Sequence, residues 1–178
     1  MKVYISILLT FSLLVFSCKK DPKKGIPPSE RISDLNETKT KVDAKFSDPK
    51  QELLFNDYLD VKAALVNTNS TKAQMAAKKM ADDFVGAELY NKARQVAVLI
   101  SKETNVAKQR EFFVGLTEEV FTAVNSGIVE GKIFQQMCPM AFEGKGGVWL
   151  SDSKEIRNPY FGDVMLACGA VMKVFEKQ

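Results

Sequence analysis

From about residue 48 onward, apolar residues recur with the period of a helix. Leu54, Tyr58, Val61 and Leu65 follow one another at spacings of four, three and four, behind Asp48-Pro49, a cap residue with proline at the first helical position. Asn67 to Ser70 is a polar break. A second helix is predicted from Thr71, with Gln74 completing a capping box, and with Ala73, Ala76, Ala77, Met80 and Phe84 on its inward stripe. A third begins near Asn91 (Ala93, Val96, Ala97, Ile100). A fourth begins near Asn105 (Phe113, Leu116, Val120, Phe121, Val124) and ends at Gly127.

The period then fails over residues 128–158. Ile133 to Met137 and Val148 to Leu150 suit two short strands, joined by a turn at Gly144-Lys145-Gly146-Gly147. A last helix is predicted from Asn158-Pro159, with Phe161, Met165, Cys168, Met172 and Phe175 at spacings of four, three, four and three. The expected fold is therefore all-α: an up-and-down helical bundle of four to five helices over residues 48–178, with a small irregular or β-hairpin insertion before the last helix.

The N-terminus is written differently. Lys2 precedes an apolar run from Ile5 to Phe16, too short for a membrane span and suited to a secretory signal over residues 1–17. Leu14-Val15-Phe16-Ser17-Cys18 resembles the cleavage box of bacterial lipoproteins, which implies that Cys18 becomes the lipid anchor. The expected location is the bacterial cell envelope, anchored to the outer membrane on its periplasmic or surface face. Residues 18–47 carry Lys19, Lys20, Lys23 and Lys24 and few apolar side chains, and they read as a flexible tether.

Composition narrows the chemistry. The chain of 178 residues has no histidine, which excludes Ser-His-Asp and Cys-His catalysis and any imidazole metal site. A net charge of +3 from 25 basic and 22 acidic residues does not suggest nucleic-acid binding. The acidic pairs Asp82-Asp83 and Glu118-Glu119 fall on predicted helices, where neighbours point apart, and suit a solvated surface. No nucleophile has a base beside it, and no enzyme activity is expected.

Two body cysteines remain, Cys138 and Cys168. In an oxidising envelope they suit a structural disulfide, and the chain would then be a protein-interaction module without metal. Their neighbours support another reading. Cys138 lies in Met137-Cys138-Pro139-Met140, and on a helix Met165, Cys168 and Met172 would share one face. Thiolate and thioether are soft donors that favour Cu(I) or Ag(I). The candidate metal ligands are Cys138, Met140, Met165 and Cys168, with Met137 and Met172 as further donors. Trp149 and Tyr160 could cap the site.

The stretch from Met137-Cys138-Pro139-Met140-Ala141-Phe142 through Gly146-Gly147-Val148-Trp149-Leu150-Ser151 and Lys154-Glu155-Ile156-Arg157-Asn158-Pro159-Tyr160-Phe161-Gly162-Asp163 to Met165-Leu166-Ala167-Cys168-Gly169 resembles the bacterial domain-of-unknown-function 3347 family. Gln109-Arg110-Glu111-Phe112-Phe113 is similar to one of its helix segments. The resemblance is close from Cys138 onward and weaker through the first helices. It implies a helical bundle, an envelope lipoprotein, and an association with heavy-metal efflux adaptors of the copper and silver type. Members often carry histidines, and this chain carries none. The reading is a lipid-anchored protein that buffers Cu(I) or hands it to an efflux partner.

Overall fold

The structure, a computed structural model, describes residues 34–177. The signal segment, Cys18 and the first part of the tether lie outside them. Four helices form as the periodicity predicts: α1 (Pro49–Val66), α2 (Ser70–Asp83), α3 (Asn91–Lys102) and α4 (Val106–Val124). Asp48 caps α1 by accepting from the Lys50 N–H, and Asn105 caps α4 by accepting from the Ala107 and Lys108 N–H groups. The cap of α2 is Asn69, accepting from the Lys72 N–H, in place of the expected Thr71-Gln74 box. Each helix packs on the next and α4 closes back on α1.

The all-α expectation is overturned. Two antiparallel sheets accompany the helices: β1 (Lys45–Phe46) pairs with β2 (Ile128–Glu130), and β3 (Lys132–Cys138) lies between β4 (Gly147–Ser151) and β5 (Ala170–Glu176). The fold is mixed α and β. The expected strands at Ile133–Met137 and Val148–Leu150 are the cores of β3 and β4. The predicted last helix does not form. Its stretch is a loop, a 3₁₀ turn at Gly162–Met165, and then β5.

Two glycines explain why. Gly162 has φ +59°, and a Cβ there would lie 2.9 Å from the Val66 carbonyl oxygen. Gly169 has φ +144°, and a Cβ there would lie 2.8 Å from Trp149 Cη2. Both are backbone conformations that a helix cannot contain. The glycine-rich turn after Cys138 is also tighter than a simple hairpin. Phe142 and Glu143 adopt positive φ within a single turn over Ala141–Gly144.

Residues 34–47 were expected in the tether. They run as an ordered strap over the domain. Lys39 N–H donates to Glu155 Oε1 at 2.9 Å, Val42 N–H to the Asp152 carbonyl at 2.7 Å, and Arg157 Nε to the Glu37 carbonyl at 3.0 Å. Beneath the strap, the buried Lys62 amine donates to Asn36 Oδ1 at 3.0 Å. Loss of hydration lowers its pKa to about 8.

Helices and sheet are joined through Tyr58. Its ring stacks on Phe113, with centroids 5.0 Å apart. The hydroxyl accepts from the Leu150 N–H of β4 at 2.9 Å and bonds Thr117 Oγ1 at 2.9 Å, which in turn donates to the Phe113 carbonyl at 2.9 Å. Tyr58→Phe keeps the ring and strands a buried N–H. The expected loss is about 1–3 kcal/mol, measured by urea unfolding.

Candidate functional site

Strand alternation fixes which side chains of β3 share a face. Phe134, Gln136 and Cys138 lie on one face, and Ile133, Gln135 and Met137 on the other. Gln136 is fully buried and satisfied: Trp149 Nε1 donates to its Oε1 at 2.7 Å, and its Nε2 donates to the Ser153 carbonyl at 2.8 Å. Cys138 ends the strand opposite Gly147, also fully buried.

Cys168 reaches the same place from the far side of the sheet. Met137 pairs with Ala170, so the residues just before β5 sit at the end of β3. The turn that carries Cys168 is held by Asn158, whose Nδ2 donates to the Cys168 carbonyl at 2.8 Å and whose N–H donates to the Leu166 carbonyl at 2.9 Å. Asn158 Oδ1 accepts from the Tyr160 and Phe161 N–H groups at 2.8 and 3.2 Å. Arg110 of α4 fixes the next residue by donating to the Pro159 carbonyl at 2.8 Å.

The result is two neighbouring thiols, neither of them in a disulfide, with Cys138 buried and Cys168 half-buried. Hydrogen bonding to Cys138 pushes the Cys168 thiol above its usual pKa, with loss of hydration adding to the rise. Cys168 is therefore held as a thiol near neutral pH. A metal ion would have to displace protons to bind.

The methionines are placed otherwise. The helix face meant to align Met165, Cys168 and Met172 is absent. Met165 closes the turn before Cys168, its carbonyl accepting from the Cys168 N–H at 3.0 Å. Met172 lies exposed on β5, where the β3–β5 register shifts, and Met140 is exposed beyond β3. Met137 packs towards Gly146 on the other face of β3 from Cys138. Trp149 and Tyr160 do lie against one another near the pair, with centroids 5.9 Å apart. Among the described residues no group of three or more His, Cys, Asp or Glu side chains is arranged to hold a metal. What remains for a soft ion is a two-thiol site, chemically adequate for a low-coordinate Cu(I) or Ag(I) and poor for zinc.

The sequence reading missed Asn158 and Gln136 as the organisers of this site. The Asn-Pro pair was visible, and it reads as a helix cap when the following spacing is taken as helical. It also passed over Asp57. That carboxylate, buried on α1, meets Lys79 Nζ at 2.5 Å, and Lys79 also meets Asp83 at 2.8 Å. Burial raises Asp57 to about 6, with Lys79 opposing the shift. A carboxyl with a raised pKa binds protons more readily folded than unfolded, so its contribution weakens as pH rises from about 4 through about 6. Asp57→Asn, measured against the unmodified chain by urea unfolding from pH 4.5 to 7.5, should gain relative stability with pH, on the order of 1–2 kcal/mol.

These features define a class: a four-helix domain carrying an antiparallel sheet, with a dithiol where β3 ends and β5 begins. The sequence model of the family described as "Protein of unknown function (DUF3347)" matches residues 54–131, and over this stretch the chain is similar to that family. The match begins within α1, takes in the other three helices and β2, and ends at the turn into β3. Cys138, Cys168 and the stretch from Cys138 onward lie beyond it. No curated protein and no solved structure matches the chain.

Proposed function

We propose that this is an envelope protein, lipid-anchored at Cys18, that binds one soft monovalent ion, Cu(I) or Ag(I), between the thiolates of Cys138 and Cys168. It would buffer that ion or hand it to an efflux partner. The observation that supports the reading is the placement of the two free cysteines side by side, Cys138 ending β3 and Cys168 just before the Ala170 that pairs with Met137. The half-buried Cys168 offers a first point of capture, and the buried Cys138 excludes water from the bound ion. With two sulfurs of suitable softness and no histidine, hard cations have little to bind.

An anaerobic competition titration of the reduced chain with Cu(I) tests this. One ion per chain is expected, with binding lost in Cys138→Ser combined with Cys168→Ser. Affinity should rise with pH from 6 to 8, because Cys168 must first shed a proton held by a raised pKa. Unchanged stoichiometry in the double variant would remove the reading. The second reading, a metal-free interaction module with a structural disulfide, draws on the same placement of the two cysteines. Thiol counting on protein taken from its envelope separates them: two free thiols support the ion, none supports the disulfide.

A further inference from the structure

The two edges of the three-stranded sheet are treated differently. The outer edge of β4 is covered: Leu150 N–H donates to Tyr58 and the Val148 carbonyl accepts from the Tyr160 hydroxyl at 2.5 Å. The outer edge of β5 meets no such partner among the described residues. Unpaired strand edges are templates for another strand, and proteins ordinarily cover or guard them.

This edge is also apolar and basic. Met172 is 59% exposed, Val174 41% and Val171 37%. On one side lies a groove of about 430 Å³ with Val42, Phe134 and Val174 as its apolar part and Lys41, Lys132 and Lys154 around it. On the other side a second groove, of about 450 Å³, runs between Phe121 of α4 and β5. Lys41 and Lys132 have acidic partners, Asp152 and Glu176, at 3.3 and 2.6 Å. Lys154 and Lys173 have none within ion-pair distance among the described residues. The charge left over at this edge is positive.

We infer that the outer edge of β5 is a docking site for an extended segment of a partner protein in which apolar and acidic residues occur in alternating pairs, so that each face of the added strand carries both. Such a segment would continue the sheet through main-chain hydrogen bonds, set apolar side chains into the grooves, and bring carboxylates to Lys154 and Lys173. A second copy of this chain fits less well. Antiparallel pairing centred on Lys173 sets lysine against lysine, which disfavours it.

The test titrates the full isotope-labelled chain with a synthetic peptide of alternating valine pairs and glutamate pairs, followed by NMR. Saturable shifts are expected at residues 171–177, Val42 and Phe134. Lys154→Glu combined with Lys173→Glu should weaken binding about tenfold. A peptide with lysine for glutamate, and one whose backbone N–H groups are methylated, should not bind. Those two peptides decide the matter even if the double variant folds poorly. The inference is overturned by no saturable shift at millimolar peptide, by equal binding of the lysine or methylated peptide, or by a free chain that dimerises through β5.

Discussion

Replacing Trp149 with alanine should lower stability by about 3–5 kcal/mol, among the larger costs a single side chain can carry. Trp149 is wholly buried at the centre of β4, and its ring meets Tyr160 edge-on. Its removal opens a cavity against Gly169 and Tyr160 in a tightly packed interior. It also takes the donor from Gln136 Oε1, a buried acceptor with its bond at 2.7 Å. The thermal midpoint should fall by roughly 10–15 °C. Trp149→Phe keeps most of the volume and loses only the hydrogen bond, so its cost should be less than half as great. Equal losses in the two variants would show that the hydrogen bond dominates and the packing does not.

Gly169→Ala is the second large effect, and it acts on the thiols through the backbone. At φ +144° a side chain is strained, and the added Cβ would lie 2.8 Å from Trp149 Cη2 and 2.9 Å from the Met137 carbonyl oxygen. Met137 belongs to the central strand, so that oxygen cannot yield without disturbing both neighbours of β3. The expected loss is on the order of 2–3 kcal/mol. Because Gly169 follows Cys168 directly, the relief of this contact should draw the Cys168 thiol from Cys138, and Cu(I) affinity should fall with it. Gly144→Ala is the control: its φ is +86° with nothing within 4 Å of the added Cβ, so it carries strain without collision. If Gly144→Ala destabilises as much as Gly169→Ala, backbone strain alone accounts for the effect.

The helices were legible because their signals are local. Asp48-Pro49 and Asn105 announce starts, and the apolar stripes behind them face a core that all four helices share. β3 and β4 were legible for the same reason, as short apolar runs around a glycine-rich turn. β5 was not. Phe161, Met165, Cys168, Met172 and Phe175 imitate a helical stripe, while the residues that break it, Gly162 and Gly169, count only as mild helix penalties when read alone. Their decisive feature is what surrounds them in space, the Val66 carbonyl and Trp149. Val171 and Val174 suit a strand, and on an exposed edge they give no clean alternation.

The strap over residues 34–47 was illegible on other grounds. It is held mostly by hydrogen bonds to Asp152, Glu155 and Asn67, which composition does not foretell. The site itself was half legible. Residue type and the expected envelope location singled out Cys138 and Cys168, but the methionine arrangement followed from the helix that does not form. Met140 and Met172 are exposed, and the family match ends before β3, so the thiol pair stands on its own geometry.

Copper K-edge X-ray absorption on the Cu(I)-loaded, reduced chain addresses that geometry most directly. The account predicts one copper per chain in a low-coordinate environment made of sulfur alone, replaced by oxygen or nitrogen ligands when Cys138 and Cys168 are both serine. Oxygen or nitrogen ligands in the unmodified chain, or a sulfur environment that persists in the double variant, would contradict it.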